Sequence, residues 1–346
     1  ESFQVTGPSW RATKDVTMNA DIIEEITRIY GYDNFAIHTT RSPLYPVRMD
    51  EVKRNEETIK DILVKRYDLH ELHSYVWAYS DELKELEIPV EDNIKLANAT
   101  NPNIETIRNS LVPTQLCQVK TNVGYAPSFG IFEIGRAVTG MTEDDLCIEK
   151  KFLTVTLYSK TQDVKALYFR LRDILAVIAD DVKHRSLGFT PAQPTHAYEH
   201  PVNLNTVTMD GKEIGTIGIV HPAVGKNIDK KAAIVFAEID MQAFADIENA
   251  SIVYEVPGKF PPIEYDISVV VPKGILFADM AKCWQNAGTE LLKSAKIVDS
   301  YDTELFHSES IRFVFASHER TLSSAEVQEI MDTIIENLKA IDVKLR

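Results

Sequence analysis

The sequence predicts an α+β protein with more than one core, and three observations carry that prediction. Between residues 73 and 239, short apolar runs follow one another with turn residues between them, several alternating apolar and polar, and few stretches have helical period. That is the pattern of a large antiparallel sheet. Two proline-marked linkers, residues 40–46 and 256–262, cut the chain into three blocks. After the second linker the periods read strand, helix, strand, strand, helix, strand. That order is the split β-α-β-β-α-β arrangement of ferredoxin-like domains.

In the first block, Asp21 precedes a 3.6-period run of Ile22, Ile23, Ile26, Ile29 and Tyr30, so it reads as a helix cap, and Glu24 completes a capping-box pattern. Asp21, Glu24 and Glu25 share one face, and Asp15 arrives from a preceding extended segment. Four carboxylates therefore gather around the first turn of one short helix. An all-oxygen set suits a hard cation, Mg²⁺ before Zn²⁺. Two other readings use the same acids. They oppose the helix macrodipole and accept from free backbone N–H groups, or they form a salt-bridged face.

The second block opens with a helix over residues 50–67, where Val52, Ile59, Ile62, Leu63 and Tyr67 recur at helical spacing. Strands are expected over 73–79, 94–97, 130–135, 152–158, 206–209, 214–220 and 233–239. A further helix over 164–179 carries Leu167, Leu171, Ile174, Leu175 and Ile178 along one stripe. In the third block the strands fall over 265–271, 295–301, 310–316 and 343–345, and the helices over 276–287 and 324–340. Ser323 or Ser324 caps the second of those helices, with Glu326 and Glu329 in its early turns.

At 346 residues and 44% hydrophobic content, the chain can bury two or three cores. No apolar run approaches the roughly 20 residues that span a bilayer, so no membrane partner is expected. The first residues show no signal-peptide pattern and lack an initiator Met, which suggests a piece of a longer protein. Cys117, Cys147 and Cys283 are too far apart for a zinc site and odd in number, which points to inert thiols in a reducing cytoplasm. A formal charge of −15 argues against coating nucleic acid by electrostatics alone, and leaves room for a local basic face or a basic partner.

Three phrases of the middle block stand out: Asn101-Pro102, Arg108-Asn109-Ser110-Leu111-Val112-Pro113 and Phe132-Glu133-Ile134-Gly135-Arg136; Gly215 to Pro222, followed by Phe236-Ala237-Glu238-Ile239, come later in the same block. Arg108 and Arg136 are candidates for buried or interface ion pairs, with Glu133 as a strand-borne partner, and Pro113 can open a helix. Gly215 and Gly218 sit in a strand pattern and cannot form a phosphate cradle, which needs a glycine-rich loop opening a helix. His221 has no nucleophile or paired acid near it in sequence and reads as structural.

Taken in order, these phrases resemble the beta subunit of bacterial phenylalanyl-tRNA synthetase, in its C-terminal part. Pro8-Ser9-Trp10-Arg11, Asp21-Ile22-Ile23-Glu24-Glu25 and Arg28-Ile29-Tyr30-Gly31-Tyr32-Asp33 are similar to the end of its second winged, DNA-binding-like domain. The resemblance implies a magnesium site on Asp15, Asp21, Glu24 and Glu25, at the contact with the alpha subunit. Ala12-Thr13-Lys14 lengthens the run from Arg11 to Asp21 relative to the commonest form of the motif. The middle phrases resemble the catalytic-like domain, a class II synthetase-like antiparallel sheet without the synthetase's chemistry. Asp266 to Val271, Asp299-Ser300-Tyr301, Arg312 to Phe315 and Glu319 to Leu322 resemble the terminal anticodon-binding domain, although Glu264-Tyr265 stands where the family carries Arg-Arg.

The domains implied are 1–40, the end of the winged, magnesium-binding domain; 47–255, the catalytic-like domain; and 258–346, the ferredoxin-like domain. The function implied is to support aminoacylation of tRNA(Phe) with L-phenylalanine and ATP, in a cytoplasmic heterotetramer of two alpha and two beta chains. Adenylate chemistry belongs to alpha, so this chain alone carries no catalytic and no ATP-binding residue. Arg312 and Arg320 are the candidate RNA contacts, and Phe313 and Phe315 read as core. Two rivals remain: a free-standing RNA-binding or structural paralogue without ligase activity, and an independent metal-dependent enzyme built on the carboxylates.

Overall fold

The computed structural model describes residues 3–90, 93–252, 254, 256, 258–285, 287, 290–303 and 306–346. Pro257 of the expected linker and Asn286 of an expected helix end lie outside the described residues. The chain divides into two compact units, residues 1–250 and 251–346.

In the first unit the order is α1 (Asn19–Tyr30), α2 (Glu51–Tyr67), β1 (His70–Glu71), β2 (Trp77–Ala78), α3 (Ser80–Glu85), β3 (Thr106–Ile107), α4 (Val112–Thr121), β4 (Ser128–Met141) and β5 (Cys147–Ser159). It continues through α5 (Val164–Lys183), β6 (Leu187–Pro191), β7 (Glu199–Met209), β8 (Lys212–Val220), α6 (Pro222–Ile228), β9 (Ala233–Asp240) and α7 (Met241–Ala245). A seven-stranded sheet runs β1-β4-β5-β9-β8-β7-β6. Only its edge pair β1–β4 is parallel, and the other neighbours are antiparallel.

Alternation along the strands sends side chains into two apolar layers. Phe132, Leu153, Val155, Val235 and Ala237 pack under α2, α5 and α7 through Ile59, Leu63, Leu171, Ile174 and Phe244. Ile131, Tyr158, Ile234 and Phe236 pack under α3, α4 and α6 through Leu83, Leu116, Val119 and Val224. Helices therefore cover both faces of this sheet. Each fully buried aliphatic or aromatic side chain contributes about 1.5–3 kcal/mol.

The periodicity of α2 and α5 reports their faces correctly, and both are capped by the preceding aspartate: Asp50 accepts from Lys53 N and Asp163 from Ala166 N. Other expectations need correction. The strands expected over 130–135 and 152–158 extend into a long hairpin, because its outer rungs, such as Val138–Glu149, Gly140–Ile148 and Met141–Cys147, are mixed and largely exposed and carry no apolar period to count. The strand expected over 94–97 reduces to a single bridge at Lys95, and that over 73–79 to Trp77–Ala78. The short α3, α6 and α7 and the edge strand β6 gave no apolar period of useful length.

The second unit contains β10 (Ile263–Val271), α8 (Phe277–Gln285), β11 (Leu292–Asp302), β12 (His307–Phe315), α9 (Ser324–Ala340) and β13 (Lys344–Leu345). Its four-stranded antiparallel sheet runs β11-β12-β10-β13, the ferredoxin order. Ile267, Val269, Ile311, Phe313 and Phe315 face α8 and α9, meeting Met280, Trp284, Val327, Met331, Ile334 and Leu338. Phe313 and Phe315 are core, as their alternation implied. A Ser323–Glu326 capping box starts α9.

Candidate functional site

Three groups of residues carry the functional reading, beginning with the N-terminal acids. The helix starts two residues before Asp21, with Met18 as its N-cap. Asp21 stands at the third helical position, where its Oδ2 accepts from the backbone N–H of Thr17 at 2.7 Å and of Met18 at 2.9 Å. Those bonds hold the Asp21 carboxyl below the usual carboxylate range. Asp15 lies in a turn rather than an extended segment, and Glu24 and Glu25 fall in the second helical turn. The Arg11 guanidinium bridges two of the acids: Nε to Asp15 Oδ2 at 2.6 Å and Nη2 to Glu25 Oε1 at 2.6 Å. Arg28 takes the other Glu25 oxygen at 2.5 Å. Arg11 first and Arg28 second hold the Glu25 carboxyl down at about 2.

The structure thus brings Asp15 and Glu25 together through an arginine and does not bring all four carboxylates to one point. Among the described residues no group of three or more His, Cys, Asp or Glu side chains is arranged to hold a metal ion. In this arrangement the acids do not fit Mg²⁺. No residue of α1 is buried, and Ile23, Ile26 and Ile29 of its apolar stripe are exposed.

The second group sits inside the first unit. Arg108 and Glu133, 2% exposed each, pair at 3.0 Å. Arg108 also donates to Arg136 O at 2.9 Å and to Ser74 Oγ at 2.6 Å, and Ser74 Oγ donates to Glu133 Oε2 at 2.6 Å. A Cβ on Gly135 would stand 2.7 Å from both Arg108 Nη2 and Glu133 Oε1, so only glycine admits the pair. One turn of chain later, Ser110 Oγ, Leu111 N and Thr154 Oγ1 all donate to Glu238 Oε1, at 3.0, 2.8 and 2.9 Å. Desolvation raises the Glu238 carboxyl above its usual value. Gly215 lies against Glu238 on the neighbouring strand, where a Cβ would meet Glu238 O at 2.1 Å.

Arg108, Ser110, Glu133 and Glu238 therefore meet in one polar lock between β3–α4, β4 and β9. Arg136, by contrast, makes an exposed pair with Glu149. Sequence reasoning named Arg108 and Glu133 as a pair, quoted Ser110 and Glu238 within its phrases without giving them partners, and missed Ser74. A lone acid inside the apolar run Phe236–Ile239 was the available signal.

Beside this lock a cavity of about 60 Å³ lies between Arg108, Ser110, His196 and Tyr198. That is room for about two waters, against about 300–1,000 Å³ for a small-molecule site. His221 caps α6 through Nδ1, which accepts from Ala223 N, in keeping with the structural role expected of it.

The third group is on the terminal sheet. The face away from α8 and α9 carries Glu264, Asp266 and Ser268 of β10, Ser310 and Arg312 of β12, and Lys296 and Tyr301 of β11. Arg312 forks onto Asp266 with two bonds of 2.8 Å and reaches Glu264 at 3.1 Å. Arg320 forks onto Glu326 at the α9 cap. Both expected RNA contacts are therefore already engaged by carboxylates. Lys296, opposite Arg312, makes no ion pair among the described residues. The Arg346 guanidinium lies 5.9 Å from the Tyr301 ring centre and 5.7 Å from that of Phe306, within cation–π range.

The comparisons with known proteins follow the same order along the chain. Residues 1–32 match the tRNA synthetase B5 domain, 38–241 the phenylalanyl tRNA synthetase beta chain CLM domain, and 258–346 the ferredoxin-fold anticodon binding domain. The phenylalanine–tRNA ligase beta subunit of Vibrio cholerae is 28% identical over 98% of this chain and 44% of its own length. That of Staphylococcus haemolyticus is 29% identical over 100% of this chain and 44% of its own, and that of Neisseria meningitidis 26% over 100% and 44%. The chain spans less than half the length of these relatives. With the beta-chain model matching more than half of its residues, the chain belongs to the phenylalanyl-tRNA synthetase beta chain family.

Proposed function

We propose that this chain is the frame of a phenylalanine–tRNA ligase beta subunit: it assembles with a catalytic alpha subunit, as two alpha and two beta chains, and presents its terminal domain to tRNA(Phe). The observation that carries the reading is the closed central sheet. Both of its faces are covered by helices, and the family's phrases are spent on the lock of Arg108, Glu133, Ser110 and Glu238. Those residues hold strands together rather than addressing a substrate. ATP, its magnesium and the phenylalanine adenylate then belong to the alpha subunit, and the chain alone has no turnover.

In this reading residues 1–40 are the end of a winged domain, 47–255 a class II synthetase-like domain without chemistry, and 258–346 the RNA-binding domain, working in the cytoplasm. The open sheet face offers Arg346, Tyr301, Phe306 and Lys296 to an unpaired base and its phosphate, in preference to Arg312 and Arg320. Base stacking on such a group is worth about 1–3 kcal/mol.

Co-expression with an alpha subunit tests the assignment. Co-purification of alpha, with charging of tRNA(Phe) once the remaining beta segment is supplied, is the expected result. Phe-tRNA formation by this chain alone, or an alpha subunit that never co-purifies, overturns it.

A further inference from the structure

The N-terminal acids raise a question that the family assignment does not answer, namely what neutralises them. Asp15 and Glu25 come from different elements, a turn and the second turn of α1, and carry like charge. Two carboxylates held near one another need a cation between them. Arg11 supplies it. Its Nε and Nη2 reach Asp15 at 2.6 and 3.3 Å, a forked contact, and Nη2 reaches Glu25 at 2.6 Å. The arginine is also fixed at its backbone, where Arg11 N donates to Pro8 O and Val16 N donates to Arg11 O. Its side chain is only 26% exposed.

The charges then balance locally, two carboxylates against Arg11 and Arg28. Asp21 has a different occupation, since its two backbone donors, Thr17 and Met18, belong to the turn that starts the helix. Glu24 alone has a carboxylate with no partner among the described residues, and it is exposed. One exposed carboxylate binds a divalent ion no better than any surface acid. A hard cation needs several oxygens at about 2.0–2.6 Å, depending on the ion.

We infer that in this chain a guanidinium stands where the family resemblance would put a divalent ion: Arg11 is the cation that ties the turn of residues 8–16 to helix α1, and the segment is held without metal. Arg11 is thus a positioning residue for α1, and the three residues Ala12-Thr13-Lys14 between it and Asp15 give the turn the length that lets the fork form. The inference does not depend on the ligase reading, because it concerns what holds this segment and not what the assembled enzyme does.

The test uses the whole chain, with Mn²⁺ as the probe, read by the electron paramagnetic resonance signal of the free ion, and amide hydrogen exchange of residues 8–30. The wild-type chain should leave Mn²⁺ free, with no saturable binding, and EDTA should leave exchange in the segment unchanged. Arg11→Met should speed exchange across residues 8–30 by about tenfold, while amides of β4 and β5 keep their protection and report that the rest of the unit is folded. Arg11→Lys, which keeps the charge and loses the fork, should fall between the two. One Mn²⁺ bound per wild-type chain, weakened by Asp21→Asn or Glu24→Gln, overturns the inference. So does an Arg11→Met variant whose segment exchanges at the wild-type rate.

Discussion

Replacing Arg108 by Met should cost the first unit far more than any surface arginine. The side chain is 3% exposed and makes one ion pair, with Glu133 at 3.0 Å, and hydrogen bonds to Ser74 Oγ and Arg136 O. Methionine fills much of the same volume, so the packing loss is small. What remains is Glu133, 2% exposed, with its negative charge opposed only by the N–H and hydroxyl of Ser74. Stranding one member of a buried pair costs about 3–5 kcal/mol. Glu133→Gln keeps an acceptor for Ser74 and removes the charge, so the double variant should recover about 2 kcal/mol relative to the sum of the singles. Protection of the β4 and β5 amides in native-state hydrogen exchange reads this unit alone. It should fall by about two to three and a half orders of magnitude in Arg108→Met, at tenfold per 1.4 kcal/mol. A fall smaller than about fivefold, or strict additivity in the double variant, would refute the view that the phrase Arg108 to Pro113 is spent on a buried electrostatic lock.

Other consequences follow from the same geometry. Because desolvation raises the Glu238 carboxyl, the folded unit keeps a proton that the unfolded chain releases near its ordinary value of 4.5. The stability this gives is complete below that pH and is lost as pH rises through the folded value. Glu238→Gln should therefore be matched by wild type in acid and overtake it towards neutrality, as read by urea midpoints across the pH range. Phe313→Ala should destabilise the second unit by about 3–5 kcal/mol and leave exchange in β4 and β5 untouched, since the ring packs edge-on against Trp284 at 5.4 Å. In filter binding with tRNA(Phe), Arg346→Ala should weaken the complex about tenfold and Arg312→Ala less than threefold, because only Arg346 is uncommitted to a carboxylate.

The elements legible in the sequence were those with a long period and a chemical stop. Helix α9, with Ser323 before it, was read to the residue, and α2 to within one. The ferredoxin order followed from its alternating strands. Helix α3 and the edge strand β6, at six and five residues, were not legible because a single turn or a half-buried edge leaves no period to count. At the candidate sites the residue types were visible and their partners were not. Asp15, Glu25 and Arg11 all stood in the sequence, yet which cation the acids would take depended on a turn whose shape spacing alone does not fix. Glu264-Tyr265 looked like a loss of positive charge from the terminal domain. The register Asp266 to Arg312 makes Glu264, with Asp266, one of the anions that absorb that arginine.

That absorbed arginine has a thermodynamic consequence. A phosphate approaching the middle of the terminal sheet meets a guanidinium whose counter-charge is part of the protein, so docking there brings little net positive charge to displace the sodium or potassium condensed on the nucleic acid, and it must first prise two carboxylates away. Among the described residues Arg346, Lys296 and Lys344 make no ion pair on this face, and each phosphate contact on a single strand adds about −0.7 to the slope of log affinity against log salt. The complex should therefore weaken moderately across physiological ionic strengths, with a slope of about −2 from this face.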